Sequence, residues 1–522
     1  ERALELLERV GSTNVVIDEG IPATRAFFEW IDAASDRTRL GMTLSLAVVR
    51  AHEGRGPEAV ALVGQVREQL QAGDAADLGP IRHQLTLAEG LVRGFVDELP
   101  DEEHDRALSD YLENAPLTDH HGRAQAHILL SWSAYVRGDL PAAERHVDEA
   151  ALDYAGSEGV YGSLFTHVHR VLAQYWRNDL EGALAEAALA GRVARLFFPE
   201  DQRVNALAQV LCSGVRFELG RFEGEPGPLD LVAVVGAVES WPEPQIWAHR
   251  YAARAAAMAG RFDEARAVIA NGIEIAGRLR TPRFEYAMQI ERVNLALAQS
   301  DVSGAWRDAE RLGLTSGASP TTGGRWLTWQ ERIAAQLTVL RLKLERGDRR
   351  GAQEAFARIE RELQTTQVPR YACALALLRA YEHSLQDRER EMSAALSRAA
   401  EHASGFLPMS LLALHHGAFR ERGLRFAKLP ESVVAWPVAT GAVAPARPAA
   451  MPAGVTDPLT VRERQILQFM SQGHPNKVAA HRLGLSEATV KFHLRNIYRK
   501  LSAQNRTQAL ARYRDIVGDK SF

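Results

Sequence analysis

The sequence predicts an all-α protein in which a long helical repeat array precedes a small helical domain. Three observations carry this prediction. Leu, Ala, Arg and Glu dominate the 522 residues, and aromatic residues make up only 7%. A short turn signature returns about every 40 residues. A proline-rich break then separates an acidic body from a basic tail, so the chain divides into one array and one small unit.

The turn signature is an Asp or Arg followed four places later by a small residue. Clear copies begin at Asp139, Asp179, Arg261, Asp301 and Asp348. Weaker copies begin at 55, 221 and 387, and a degenerate copy is expected near 97. From 139 onward, successive copies are 40, 42, 40, 40, 47 and 39 residues apart. A period of this length is typical of stacked helix pairs.

Each signature lies between two helical runs, for example 249–260 and 265–279. Residues that tolerate a left-handed backbone close the first helix of each pair, and we expect that conformation at Gly138, Asn178, Gly220, Gly260 and Gly347. Small residues then let the second helix approach closely, as at Ala143, Ala183 and Ala265. Because one pair cannot bury its apolar stripe alone, we predict an α-solenoid of roughly ten pairs over residues 1–427. The repeat resembles the tetratricopeptide (TPR) type, with a period longer than the usual ~34 residues.

A tether and a basic tail follow the predicted array. The segment 430–458 holds six prolines and only three charged residues, so we assign 428–457 as a Pro/Ala-rich linker. Residues 459–522 hold 12 Lys/Arg against 4 Asp/Glu, which leaves residues 1–458 with a net charge of −12. The tail domain, assigned to 458–522, is therefore the part expected to meet a polyanion.

The tail has the pattern of a helix-turn-helix of four helices. Thr460 and Glu463 form a capping box, and Gly473 ends the first helix. A short second helix leads to a turn at Gly484, after which Ser486 caps a third helix. A fourth helix spans 505–517. In the third helix the apolar residues recur on one face, at Val490, Leu494, Ile497 and Leu501. Its other face is basic, as a recognition helix requires.

This tail resembles the C-terminal DNA-binding domain of LuxR/FixJ-type bacterial regulators. The resemblance is carried by 459–463, Gly473, 476–477, Ala480, Leu483, Ser486, 489–491, His493, Ile497, 500–501 and 506–507. It implies that Lys491, Phe492 and Arg495 face base edges in the major groove. It also implies phosphate contacts from Lys477, Thr489, Arg499 and Lys500, and a dimer surface at 506–514. The alternatives are that the basic residues only solvate an exposed face and that Phe492 packs on the linker or a neighbouring subunit.

The body also contains candidate effector-binding residues. Aromatic and Arg side chains fall in or just before the first helix of several pairs, at Trp247, Arg250, Arg283, Tyr286, Trp329, Arg370 and Tyr371, with Tyr161 earlier in the chain. On a concave surface such groups could stack on and hydrogen-bond a sugar or an aromatic metabolite. The alternative is repeat packing with salt bridges to the many Glu residues.

The combination of body and tail resembles the MalT-like, large ATP-binding class of LuxR regulators. In that class a nucleotide-binding domain precedes helical repeats that sense a signal and oligomerise. No P-loop motif occurs here, so this chain is expected to bind no cofactor, and ATP only through a domain preceding Glu1. The sequence opens in a helical pattern without Met, and we interpret it as a fragment.

Other classes of function have weaker support. Adjacent or alternate histidines (His120–His121, His167 with His169, His415–His416) point to different helix faces, so no metal site is predicted. No catalytic motif occurs, and the protein is not expected to be an enzyme. The two cysteines match neither a disulfide framework nor a zinc spacing, which favours the cytoplasm, and no apolar stretch is long enough to span a membrane.

The sequence therefore favours a cytoplasmic transcription regulator, and the resemblance to its family favours an activator. Its helical repeats would sense a small-molecule effector or a partner protein, and its tail would bind double-stranded promoter DNA as a dimer or higher oligomer. Two alternatives stay open. The first is a protein-interaction scaffold built on the solenoid, which predicts no salt-dependent binding to duplex DNA. The second is a signalling ATPase, which requires an upstream domain.

Overall fold

The computed structural model describes residues 36–72, 79–156, 159–221, 230–235, 241–315, 327–366 and 368–403, with the single positions 408, 411, 467, 494, 497, 503, 508 and 509. Within these residues every regular element is helical, as predicted. The chain divides into two units, Glu1–Val438 and Ala439–Phe522. The domain limits at 427 and 458 stay predictions.

Eighteen helices are defined in the described part of the first unit. In chain order they are α1 (Asp36–His52), α2 (Gly56–Ala72), α3 (Gly79–Phe95), α4 (Glu102–Asn114), α5 (His120–Arg137), α6 (Leu140–Ala155), α7 (Val160–Trp176), α8 (Leu180–Phe197), α9 (Gln202–Glu218), α10 (Leu231–Val235), α11 (Pro242–Met258), α12 (Phe262–Leu279), α13 (Pro282–Ala298), α14 (Val302–Arg311), α15 (Trp329–Glu345), α16 (Arg349–Thr366), α17 (Pro369–Leu385) and α18 (Glu389–His402). They pair in sequence order, α1 with α2 through α17 with α18.

The helices form two layers. Each odd-numbered helix packs against the next odd-numbered helix as well as against its own partner, so the odd-numbered helices form a continuous inner layer. The even-numbered helices form the outer layer and bury a single stripe; in α12 this stripe is Ala265, Ile269, Gly272 and Ala276. Burial along a single stripe is what the outer layer of a helical solenoid requires, because its other face meets solvent.

The turn signature ends the first helix of each pair and starts the second. Its Asp caps the second helix of the pair, because the carboxylate of Asp139 accepts the main-chain N–H of Ala142 at 2.9 Å. Asp301 caps Gly304 in the same way, at 2.8 Å. All five residues predicted to be left-handed are so, with φ from 61° at Asn178 to 89° at Gly138. Asp97, in the degenerate copy, joins them at 59°. The small residues after these turns are buried, which confirms the close approach.

The superhelix brings helices together that lie about 190 residues apart. Among the hydrogen bonds that join successive turns are those of three residue pairs, which we call the cross-turn contacts: Arg283 with Asp97 (186 residues apart), Trp329 with Tyr135 (194) and Arg370 with Asn178 (192). They join α13 to the end of α3, α15 to α5, and α17 to the turn after α7. One superhelical turn is therefore about five helix pairs, and inner helices of neighbouring turns meet at its centre.

Candidate functional site

The residues predicted to contact DNA lie outside the described residues. These are Lys477, Thr489, Lys491, Phe492, Arg495, Arg499 and Lys500, and the predicted helix cap Ser486 lies outside the described residues too. Of the third predicted helix the structure describes Leu494 and Ile497, which are helical and buried, as their positions on the apolar face require. Leu467 and Ala509, which fall within the predicted first and fourth helices, are also buried. The individual DNA contacts stay predictions.

The candidate effector residues of the body lie in the interior of the solenoid. Arg250 is half-buried. The other six are at most 5% exposed: Trp247, Arg283, Tyr286, Trp329, Arg370 and Tyr371. Their contacts with neighbouring repeats, described below, agree with the alternative of repeat packing with salt bridges.

Arg283 lies at the centre of three carboxylates. Its Nε donates to Asp97 at 2.5 Å and one terminal nitrogen donates to Glu243 at 2.7 Å. The other terminal nitrogen is 3.6 Å from Glu331. Burial opposes the charge of Arg283, but these carboxylates outweigh it and raise its pKa well above the ordinary value. One guanidinium cannot neutralise three carboxylates. Burial accordingly raises the pKa of Glu243 to about 7, although Arg283 opposes the shift.

Arg370 ties the last inner helix to α9. Its guanidinium donates to Glu218 at 2.5 Å and to Asn178 at 3.3 Å, and it lies 4.0 Å from the ring centre of Tyr175. The hydroxyl of Tyr175 also donates to Glu218, at 2.8 Å, and accepts from the hydroxyl of Tyr251 at 3.0 Å. This buried network joins four inner helices and the turn after α7, and its polar groups hydrogen-bond to one another.

Glu291 on α13 shows the opposite charge balance. Arg254 and Arg250 of α11 both donate to it, at 2.7 Å and 3.1 Å. Burial alone would raise the pKa of Glu291, but the two guanidinium groups outweigh it and lower the pKa below the ordinary value. Arg250 is thus an internal ion-pair partner as well as a half-buried residue.

The predicted aromatic residues pack between repeats. The indole of Trp329 is 4.7 Å from that of Trp176, and the ring of Trp247 is 4.6 Å from that of Tyr175. Tyr371 donates to Gln336 at 3.3 Å. These contacts hold inner helices together.

A cavity opens on the inner helices α1, α3, α5 and α7. Its volume is about 100 Å³. Its walls are mainly aromatic and aliphatic, and they include Trp132, Tyr161, Phe165 and Trp241. Of these, Tyr161 is the residue that the sequence singled out. The remaining lining residues come from five repeats and share no local motif, so the sequence contains no signal that would bring them together.

Two histidines and one glutamine are the most polar groups of this cavity. Burial, reinforced for His52 by the positive charge of Arg203, lowers the pKa of His52 to about 3 and that of His169 to about 4. Both imidazoles are therefore neutral at neutral pH. Gln125 is 3% exposed, and its amide Nε2 and Oε1 have no hydrogen-bond partner. Buried unpaired amides are uncommon in folded proteins.

The described residues contain neither a group of metal ligands nor a helix suited to cross a membrane. No group of three or more His, Cys, Asp or Glu is placed to hold a metal ion there. No helix in that part of the chain is long and apolar enough to cross a membrane.

Comparison with known proteins identifies the class of the C-terminal domain. The family model of bacterial regulatory proteins of the luxR family matches residues 457–512. The domain is thus a helix-turn-helix DNA-binding domain of transcription regulators. Residues 457–512 belong to the luxR family, as the sequence motifs predicted.

Known transcription regulators are similar to parts of this chain. The nitrate/nitrite response regulator NarL of Escherichia coli (strain K12) is 34% identical over 132 residues, which is 24% of this chain and 56% of NarL. The HTH-type transcriptional regulator MalT of Vibrio cholerae is 44% identical over 55 residues, or 10% of this chain and 6% of MalT. The chain thus spans about half of NarL and a small part of MalT.

The body is similar in fold to a solved structure. A Rap protein, crystallised in complex with Competence and Sporulation Factor, covers 70% of this chain with a TM-score of 0.55. The alignment includes 98% of the Rap chain at 13% sequence identity. This likeness is one of fold, and it confirms the prediction of a TPR-like helical array.

Proposed function

We propose that this protein is a transcription regulator whose helical-repeat body senses an effector or a partner protein and controls promoter binding by the C-terminal domain. The observation that carries the proposal is the match of residues 457–512 to the luxR family. Lys491 and Arg495 stand at the positions that the resemblance assigns to the major groove. In this role the chain carries out no catalytic step and binds no cofactor, and the protein acts in the cytoplasm, where the DNA is.

The experiment is selection of bound sequences from random duplex DNA by the full chain. We expect an enriched palindrome, because the proposal includes a dimer. Lys491→Ala with Arg495→Ala should abolish the enrichment. The control removes the same charge from the exposed start of α16, by Arg349→Ala with Arg350→Ala, and should leave the enrichment unchanged. The absence of enrichment with the native chain would favour the scaffold alternative.

The salt dependence of DNA binding counts the phosphates that the protein neutralises. Each neutralised phosphate contributes about −0.9 to the slope of log affinity against log salt. Loss of the four proposed phosphate contacts, Lys477, Thr489, Arg499 and Lys500, should therefore reduce the slope by about 3, because three of the four side chains are cationic.

The proposed regulation is masking of the tail by the body. The net charge of −12 in residues 1–458 and the proline-rich segment after the array motivate it. An effector can release the tail only if it binds one arrangement of the body better than another. Deletion of residues 1–455 should raise DNA affinity and remove any effector dependence; unchanged affinity and dependence would contradict masking.

A further inference from the structure

We propose that the cavity between α1, α3, α5 and α7 is a binding site for an uncharged, flat aromatic molecule that carries one primary amide or an equivalent donor–acceptor pair. Its role as the sensor input rests on the proposed function; the binding itself does not.

The walls of the cavity favour a flat aromatic body. The indole rings of Trp132 and Trp241 lie 6.0 Å apart in an edge-to-face arrangement, and the ring of Tyr161 is 5.7 Å from that of Phe165. A cavity of about 100 Å³ holds several waters, and an aromatic ring system displaces them with a gain in apolar contact. The ring faces and edges of these walls suit a second aromatic group.

The charge of the cavity favours an uncharged ligand. The described residues that line it include no Asp, Glu, Lys or Arg, and both lining histidines are neutral at neutral pH. His52 packs on Phe95 with ring centres 3.9 Å apart, and Nδ1 of His169 is 3.3 Å from the hydroxyl of Ser131. A charged ligand would lose its hydration here without gaining an ion pair at the wall, which is costly.

Gln125 supplies the specific hydrogen bonds. Its amide offers a donor and an acceptor side by side, and neither has a partner among the residues that the structure describes. Burying an unpaired amide costs free energy, so a group that pairs with both atoms recovers that cost. A primary amide on the ligand matches both at once. The terminal torsion of a glutamine is soft, and the amide can turn toward a ligand at small cost.

The cavity is connected to a cross-turn contact. Trp132, a wall residue, stacks on Tyr135 with ring centres 5.4 Å apart. The main-chain carbonyl of Tyr135 accepts the indole N–H of Trp329 at 2.7 Å. Trp132 therefore contacts Tyr135, which forms the junction between two superhelical turns, and a ligand that shifts Trp132 acts directly on that junction. This is a physical route from the cavity to the arrangement of the body.

Gly94 provides a means to block the cavity. It lines the cavity, and a side chain added there would meet no atom within 4 Å outside its own helix. Gly94→Leu should therefore fill the space while favouring the helix. Gly64 is a matched control. It is also a half-buried helical glycine with open space beside it, but it lies on α2, away from the cavity.

The experiment titrates the full chain with indole-3-carboxamide, indole and indole-3-carboxylate, followed by calorimetry and tryptophan fluorescence. We expect the amide to bind at least tenfold more tightly than indole and than the carboxylate. Gly94→Leu should abolish binding, and Gly64→Leu should bind as the native chain does. Gln125→Leu should reduce the preference for the amide over indole to less than threefold and raise the Tm of the free protein.

Three outcomes would overturn the inference. The first is that none of the three probes binds the native chain, which would identify a cavity that holds water only. The second is binding that survives Gly94→Leu, and the third is tighter binding of the carboxylate than of the amide. Because no DNA is present, these results are independent of the selection experiment above. A chain that binds the amide but enriches no DNA would refute the proposed function alone.

Discussion

The indole nitrogen of Trp329 donates to the main-chain carbonyl of Tyr135 at 2.7 Å, across 194 residues of sequence. Trp329 opens α15 and is fully buried, and its ring also lies against that of Trp176. A single side chain thus contacts two earlier helix pairs. The centre of the superhelix is therefore filled by packed side chains where α15 meets α5 and α7.

Trp329→Phe should destabilise the body by about 1–3 kcal/mol, because it removes a buried hydrogen bond to the Tyr135 carbonyl, which then keeps only the N–H of Gly138, and part of a packed ring. Urea unfolding followed by circular dichroism measures the change. The control is Trp306→Phe in α14, where the indole donates to the side chain of Glu310 within one helix. Equal costs for the two variants would show that the cross-turn bond adds nothing.

Breaking the buried pair of Arg370 and Glu218 should be costly. Arg370→Met leaves the Glu218 carboxylate buried without its cation, and we expect a loss of about 3–5 kcal/mol. The double variant with Glu218→Gln should recover part of that loss, and a double-mutant cycle in urea gives the coupling. Arg350→Met, which breaks an exposed pair with Glu354, should cost no more than about 1 kcal/mol. A loss as small for Arg370→Met would contradict the prediction.

The pKa of Glu243 predicts a pH dependence of stability. An unfolded Glu loses its proton near pH 4.5, whereas Glu243 in the folded protein keeps its proton to about pH 7. Between these values the folded state binds the extra proton, so the stabilisation from this group is complete below pH 4.5 and falls as pH rises. The slope is at most about 1.4 kcal/mol per pH unit. Glu243→Gln should remove this decline, as measured by unfolding free energies from pH 4.5 to 8.

Glu291 supplies the contrast for the same measurement. Its pKa is lowered, so its stabilisation is present above the unfolded pKa and is lost as pH falls through the folded pKa. In unfolding measurements extended below pH 4.5, the difference in stability between the native chain and Glu291→Gln should grow with rising pH until about the unfolded pKa of 4.5 and stay constant above it, opposite in sign to the change for Glu243→Gln. Parallel curves for the two variants would contradict the assigned charge balance.

Two glycine-to-alanine changes should have opposite signs. Gly260 has φ of 73° and open space beside it, so Gly260→Ala loses stability through backbone strain alone, by about 1 kcal/mol. Gly277 lies inside α12 with equally open space, and Gly277→Ala should gain about 0.5–1 kcal/mol. Thermal unfolding of both variants provides the test. A loss at both positions would mean that the alanine methyl group meets a contact that the structure does not show.

The period of the repeat could be predicted because its causes are local. Asn178 and Gly138 follow helices at regular intervals, and a left-handed residue is needed wherever a helix must stop and reverse. The roles of Arg283 and Arg370 could not be predicted in the same way. Their partners Asp97 and Asn178 lie about one superhelical turn away in sequence, and no local pattern encodes that distance.

The cavity escaped prediction for a related reason. Gln125 carries no motif, and its significance comes from having no partner, which only a folded structure can show. Aromatic and Arg residues, in contrast, resemble ligand-binding groups in sequence whether they line a cavity or join repeats. Burial separates the two cases here, because Trp329 and Arg370 contact other helices on nearly all sides.

The cross-turn contacts constrain how the body can change in evolution. In an open helical array, gain or loss of one repeat leaves the other repeats with the same neighbours. Here the inner helices α13, α15 and α17 each contact the helix pair that lies five pairs earlier in the chain. Removing one pair between Asp97 and Arg283 would set each later helix opposite a helix whose side chains do not match it. The number of repeats in this protein is therefore expected to be fixed, and its length to vary only at the ends.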